Sequence, residues 1–83
     1  MKVIIVGPPG SGKTTLMHKI IRMNERNHFD MIVDNIEALF AGGLTPVNFP
    51  NLPRMILTAQ NIDTVPPHVS QNALVLRTPD IRI

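Results

Sequence analysis

Residues 2–14 read KVIIVGPPGSGKT, and the reading of this stretch decides the fold. Lys2 to Val6 form a β-branched run with no polar alternation, the pattern of a strand buried on both faces of a parallel sheet. Gly7-Pro8-Pro9-Gly10-Ser11-Gly12-Lys13-Thr14 then matches G-x-x-x-x-G-K-[ST] at every fixed position. Glycines in such a loop free the backbone to turn several N–H groups toward one anion. The positive end of a following helix adds to the attraction. Lys13 would neutralise the β- and γ-phosphates of a nucleotide, and the Thr14 hydroxyl would ligate Mg²⁺. Ser11 and Thr15 are supporting contacts, so the candidate nucleotide-binding residues run from Gly7 through Pro8, Pro9, Gly10, Ser11, Gly12, Lys13 and Thr14 to Thr15. The bland alternative is a glycine-rich strand-to-helix turn that binds nothing. The complete motif, placed between a strand pattern and a helix pattern, argues against it.

Outward from the loop, the apolar positions Leu16, Met17, Ile20, Ile21 and Met23 fall on one side of a helical period running from Lys13 to about Asn27. His18, Lys19, Arg22, Glu25 and Arg26 fall on the other. Residues 29–34, FDMIVD, read as a second strand, and Asn35 to Phe40 as a short helix stopped by Gly42-Gly43. Leu44 to Pro53, with three prolines and two asparagines, is a loop. RMILTA (54–59) and ALVL (73–76) supply a third and a fourth strand, separated by a helical turn opened by Pro66-Pro67 and running through Gln71. Strands alternating with helical connectors imply a three-layer α/β domain with a mostly parallel sheet of about four strands.

A second acidic site is needed to hold magnesium through water. Asp34 supplies it at the C-terminal end of the second strand, where ligands gather in open α/β sheets. Its alternative role is that of a helix N-cap. Hydrolysis would also need a group to orient or deprotonate the attacking water. Asn35 follows Asp34 and can orient water but cannot take its proton. Glu37 either turns inward to serve as that carboxylate or lies on a solvated helix face, the simpler reading. Gln60 and Asn61, just past the third strand, suit sensing of the γ-phosphate and equally suit a turn. His18, His28 and His68 read as solvated histidines. Lys19, Arg22 and Arg26 make a basic stripe that no aromatic residue interleaves, so a solvated face is expected there rather than a base-stacking surface. Arg77 and Arg82 are candidates for an arginine finger in an oligomer.

Composition narrows the classes further. Eighty-three residues allow one domain, residues 1–83, burying about 60–65 % of its unfolded surface. With 43 % hydrophobic and 17 % charged residues the chain does not fit the disordered class. The absence of cysteine excludes a disulfide scaffold and a thiolate metal site. A net charge of +2 is a weak footprint for nucleic acid. No apolar run approaches a membrane span and no signal-peptide core develops, so a soluble, cytoplasmic chain without a membrane partner is expected.

On these motifs the chain resembles the P-loop NTPases, in the branch with an additional strand between the loop strand and the Asp strand. Its GPPGSGKTT loop, the MIVDNIEALF segment and the RMILTAQN segment with Asn61 in the sensor slot look like AAA+ ATPases. The same blocks, with Gln60, Pro66-Pro67 and Asn72, resemble FtsK-HerA type DNA translocases and viral genome-packaging ATPases. That resemblance implies ATP and Mg²⁺ as cofactors, DNA as a partner and assembly into a homo-oligomer. Two departures stand out. Asn35 occupies the usual catalytic Glu position, and residues 15–33 leave too little chain between Thr14 and Asp34 for the usual strand-plus-helix unit. A missing edge unit would reduce the family order 5-1-4-3-2 to 5-1-4-3, in a pared-down nucleotide-binding unit or a piece of something longer. The expected activity is Mg-dependent ATP binding and hydrolysis by a minimal P-loop core with Lys13, Asp34, Asn35, Glu37 and Asn61 at its catalytic centre. A non-hydrolysing nucleotide-binding module and a small nucleotide kinase are the alternatives.

Overall fold

The β-branched run at the head of the chain becomes β1 (Lys2–Val6), and the amphipathic pattern after the loop becomes α1 (Lys13–Met23). The computed structural model describes residues 1–24 and 28–78. Within them follow β2 (Met31–Val33), α2 (Ile36–Ala41), a 3₁₀ turn at Pro46–Asn48, β3 (Met55–Ala59), a second 3₁₀ turn at Ile62–Thr64, α3 (Pro67–Ser70) and β4 (Leu74–Arg77). The four strands form one sheet in the order β2-β3-β1-β4, and every pairing is parallel. Read from the other edge, with the loop strand as 1, the Asp strand as 3, the strand after it as 4 and the last as 5, the order is 5-1-4-3.

Parity along the strands divides the core in two. Val3 and Ile5 of β1 and Ile56 of β3 point toward α1 and pack with Met17 and Phe29. Ile4, Val6, Met55, Leu57 and Ala59 point the other way and pack with Ile36, Phe49, Val65 and Val69. The central strands β1 and β3 are thus apolar on both faces, which is why neither alternates with polar residues. The outer strands are covered less well. Ile32, which pairs with Ile56, and Leu74, which pairs with Val3, lie on the α1 face and are each 50 % exposed, because one helix spans only the middle of the sheet.

Several expected elements shift, most by one residue at an end. The helical period runs to about Asn27, but α1 stops at Met23, where extended backbone at Asn24 ends it and the Asn24 side-chain amide donates to the Ile20 carbonyl at 2.7 Å. That local bond competes with continued helix; Glu25, Arg26 and Asn27 lie outside the described residues. The second strand is Met31–Val33 rather than 29–34. Phe29 instead inserts beneath α1, and Asp30 is held by Arg54 through its backbone N–H (2.8 Å to the carbonyl) and its carboxylate. The Leu44–Pro53 loop contains its own 3₁₀ turn, and Phe49 from it packs edge-on against Phe40 at 5.8 Å. His68 is not a free solvated histidine: its Nε2 lies 2.8 Å from the Phe49 carbonyl and ties α3 to this loop. His28 likewise departs from the solvated reading, half-buried and edge-on to Phe29 at 4.8 Å. His18, Lys19 and Arg22 are exposed, as a solvated helix face requires.

Candidate nucleotide-binding site

β1 ends in the middle of the sheet, so the loop that follows it emerges between the ends of β3 and β4. The Gly7 N–H donates to the Ala59 carbonyl at 3.1 Å, and the Thr78 N–H donates to the Val6 carbonyl at 2.8 Å. Gly7 is required here for space: a Cβ on it would collide with Thr78 Oγ1 and stand 2.7 Å from Ser11 Oγ. Those two hydroxyls are themselves bonded at 2.6 Å, fastening the loop to the residue after β4. Gly10 and Gly12 both adopt left-handed backbone, with φ 74° and 95°, in open surroundings, so their reason is conformational.

Gly12 is the N-cap of α1 and brings no side chain to its N-terminus, and no acidic residue lies in the first turn. The first N–H groups of a helix have no intrahelical acceptor. Here no side chain caps them, and they lie at the positive end of the helix dipole, a position that favours an anion. Gly10, Gly12, Lys13, Thr14 and Thr15 line a hollow of about 340 Å³ at this point. Lys13 Nζ folds back onto the loop and donates to the carbonyls of Gly7 (2.7 Å) and Pro8 (2.9 Å). Pro8 and Pro9 are exposed at the loop's rim.

Asp34 stands beside the hollow. Its Oδ2 accepts from Thr14 Oγ1 at 2.9 Å, and its Oδ1 accepts from Thr58 Oγ1 at 2.6 Å. Register explains the meeting. Ile32 pairs with Ile56 and Val33 with Leu57, so one step further Asp34 falls alongside Thr58, both on the face that α1 covers. Asp34 is not the N-cap of α2. That position belongs to Asn35, in left-handed backbone (φ 66°, ψ 78°), with its N–H donated to Thr58 Oγ1 at 2.6 Å. Asn tolerates this conformation better than most residues, which gives Asn35 a backbone reason to be there.

Glu37 does not lie on a solvated face. It turns to the end of the sheet, where Oε2 accepts from the Gln60 N–H at 2.7 Å while Oε1 is buried without a hydrogen-bond partner among the described residues. The first turn of α2 places it there by following Asp34 directly. Asn61 serves the turn: its side chain accepts from the Asp63 N–H at 3.0 Å and caps the second 3₁₀ turn. The Gln60 side chain is exposed, and so is Arg77 at the end of β4. Arg82 lies outside the described residues. Asn72, like Asn35, has left-handed backbone (φ 60°).

Thr58 and Thr78 are the site residues that sequence reasoning missed. Thr58 is the polar member of the otherwise apolar MILTA strand and is wholly buried. Counting strand parity from Asp34 would have found it. Thr78 carries no comparable signal, since only the β1–β4 pairing brings it to the loop. The donor set suits Mg²⁺: a hydroxyl and a carboxylate are hard oxygen ligands, and no group of three or more His, Cys, Asp or Glu side chains among the described residues competes to hold another metal.

The family model described as CobW/HypB/UreG, nucleotide-binding domain, matches residues 1–41, just under half of the chain. The matched segment runs from β1 to the end of α2 and so contains Lys13, Thr14, Asp34 and Glu37. Neither the curated proteins nor the solved structures compared gave a match. Loop geometry and family likeness fall on the same segment of the chain, and together they indicate a nucleotide-binding core of the P-loop NTPase kind.

Proposed function

We propose that the chain binds a nucleoside triphosphate, ATP in the first instance, together with Mg²⁺, and hydrolyses it. The observation that carries this is the 2.9 Å hydrogen bond between Thr14 and Asp34 beside an uncapped helix N-terminus. The loop N–H groups would hold the phosphates, and Lys13 would exchange its two carbonyl partners for phosphate oxygens. The exchange is favourable because hydrogen bonds between ionised groups are about twice as strong as neutral ones. Thr14, and Asp34 through water, would hold the magnesium ion, which supplies charge neutralisation for the phosphates. Hydrolysis adds the oxygen of water to the terminal phosphorus, breaks its bond to the leaving diphosphate and leaves a proton to be accepted. Asp34 is already engaged by two hydroxyls. Glu37, with one oxygen unpartnered at the same end of the sheet, is the carboxylate assigned to that proton.

A second reading, binding without turnover, is favoured by Asn35. The position after Asp34 holds a neutral amide in left-handed backbone, where a Glu would carry conformational strain. Calorimetric titration with ATP and with GTP, with and without Mg²⁺, and phosphate release from wild type and Glu37→Gln separate the two. Mg-dependent tight binding with turnover that falls at least about a hundredfold in Glu37→Gln supports hydrolysis. Equal, negligible turnover in both proteins leaves the binding module. Asn61 and Asn72, on which the likeness to AAA+ and packaging motors turned, both have local backbone roles here. We therefore assign nucleotide chemistry to the chain, with residues 1–83 acting as one domain inside the cell. Sedimentation with nucleotide and turnover with added DNA test the oligomer and the motor.

A further inference from the structure

We propose that Thr58 is a positioning residue for the magnesium site, fixing which oxygen of Asp34 is offered to the metal; this rests on the reading that Thr14 and Asp34 hold Mg²⁺ between them. Thr58 Oγ1 has no exposed surface. A hydroxyl has one proton to give and two lone pairs to accept with. Here the proton goes to Asp34 Oδ1 at 2.6 Å, and one lone pair takes the Asn35 N–H at 2.6 Å. The Asn35 N–H thereby fixes the hydroxyl, and the hydroxyl fixes the carboxylate. One oxygen of Asp34 is consumed in the interior, and Oδ2 alone turns toward Thr14 and the hollow.

The arrangement has a chemical consequence. An unrestrained aspartate at this exposed position would rotate about its terminal torsion, which is broad, and present either oxygen or both. Mg²⁺ demands near-octahedral geometry and retains several waters, so a carboxylate restricted to one oxygen at a set orientation would hold a metal-bound water in place better than one free to rotate. Ca²⁺, whose coordination number and geometry are more flexible, gains less from the restriction. Partners that orient metal ligands in this way commonly change metal affinity 10- to 100-fold when removed.

The test measures nucleotide affinity as a function of MgCl₂ for wild type, Asp34→Asn, Thr58→Val and Thr58→Ser, using ATP or GTP, whichever binds wild type. Thr58→Val keeps the shape and removes both hydrogen bonds; Thr58→Ser keeps the hydroxyl. The expected result is a rise of about tenfold in the half-saturating Mg²⁺ concentration for Thr58→Val, near wild-type behaviour for Thr58→Ser, unchanged affinity for metal-free nucleotide in both, and a smaller shift when CaCl₂ replaces MgCl₂. If Asp34→Asn raises the Mg²⁺ requirement while Thr58→Val does not, the role given to Thr58 is wrong and the metal site stands. If Asp34→Asn leaves the requirement unchanged, the metal site itself is wrong. Should Thr58→Val fail to fold, Thr58→Ser and Thr58→Cys decide: a Ser variant as impaired as Cys in its Mg²⁺ requirement overturns the proposal, because Ser retains the hydroxyl.

Discussion

The two ends of the sheet use charge in opposite ways. At the N-terminal end Arg54 grips Asp30 through two bonds, Nη2 to Oδ1 at 2.8 Å and Nε to Oδ2 at 3.1 Å, and the charges cancel. Lys2 beside them gives its ammonium to the Asn51 side chain at 2.8 Å. At the C-terminal end Lys13 stands with the carboxylates of Asp34 and Glu37, but no salt bridge joins them among the described residues. Lys13 is satisfied by two neutral carbonyls and Asp34 by two neutral hydroxyls, and the ion pair found among the described residues is that of Arg54 and Asp30. A pair that has cancelled has nothing left for a ligand. Charges held apart by neutral partners are complementary to a ligand that carries both signs, a polyphosphate with its metal ion.

Breaking the comparison at its strongest point means removing the cation of the C-terminal end. Lys13→Ala should weaken nucleotide binding by at least about a hundredfold, on the order of 3 kcal/mol, with the fold intact, as titration calorimetry and circular dichroism together would show. A variant that bound nucleotide as wild type does would remove the site from residues 7–15. The next effect is steric. Gly7→Ala sets a methyl group against Thr78 and Ser11, so unfolding by urea should show a loss of about 1–3 kcal/mol, and nucleotide binding should weaken as the loop shifts. Retention of wild-type stability would mean that Thr78 moves away freely and does not fasten the loop. The smallest effect belongs to the N-terminal end. Arg54 and Asp30 are 48 % and 37 % exposed in their side chains, so solvent screens the pair, and Arg54→Ala should cost no more than about 1 kcal/mol in the same denaturation experiment while leaving nucleotide affinity unchanged. A drop in affinity there would show that the two ends communicate.

The features legible in the sequence were those set by local chemistry. The 2–14 stretch dictated β1, the loop and the start of α1, since buried apolar residues, glycines and a Lys-Thr pair carry their meaning within a dozen positions. The parallel sheet followed from alternation of strands and connectors, and its order from the resemblance to the P-loop NTPases with an additional strand. Features made by distant pairing were less legible. The local pattern leaves Glu37 either turned inward or on a solvated helix face, and only the β2–β3 pairing sets the Gln60 N–H against it. The positive φ of Asn35, invisible in the sequence, gives that residue a backbone reason beside its place after Asp34. Thr58 and Thr78, one a quiet polar residue in an apolar strand and the other just past a strand end, acquire their roles only across the sheet.

The bond between Ser11 and Thr78 joins residues 67 apart in the chain, and it makes the far end of the sequence part of the chemistry. The loop is contiguous in sequence, but its wall is supplied by the residue after β4, which pairs beside β1. Closing a contact over so long a separation costs chain entropy that the contact must offset. A chain with β4 undocked would still display the glycines and Lys13, yet lack the abutment that fastens the loop. Nucleotide would bind such a species weakly and the finished sheet well, and so would pull the last strand into place by mass action.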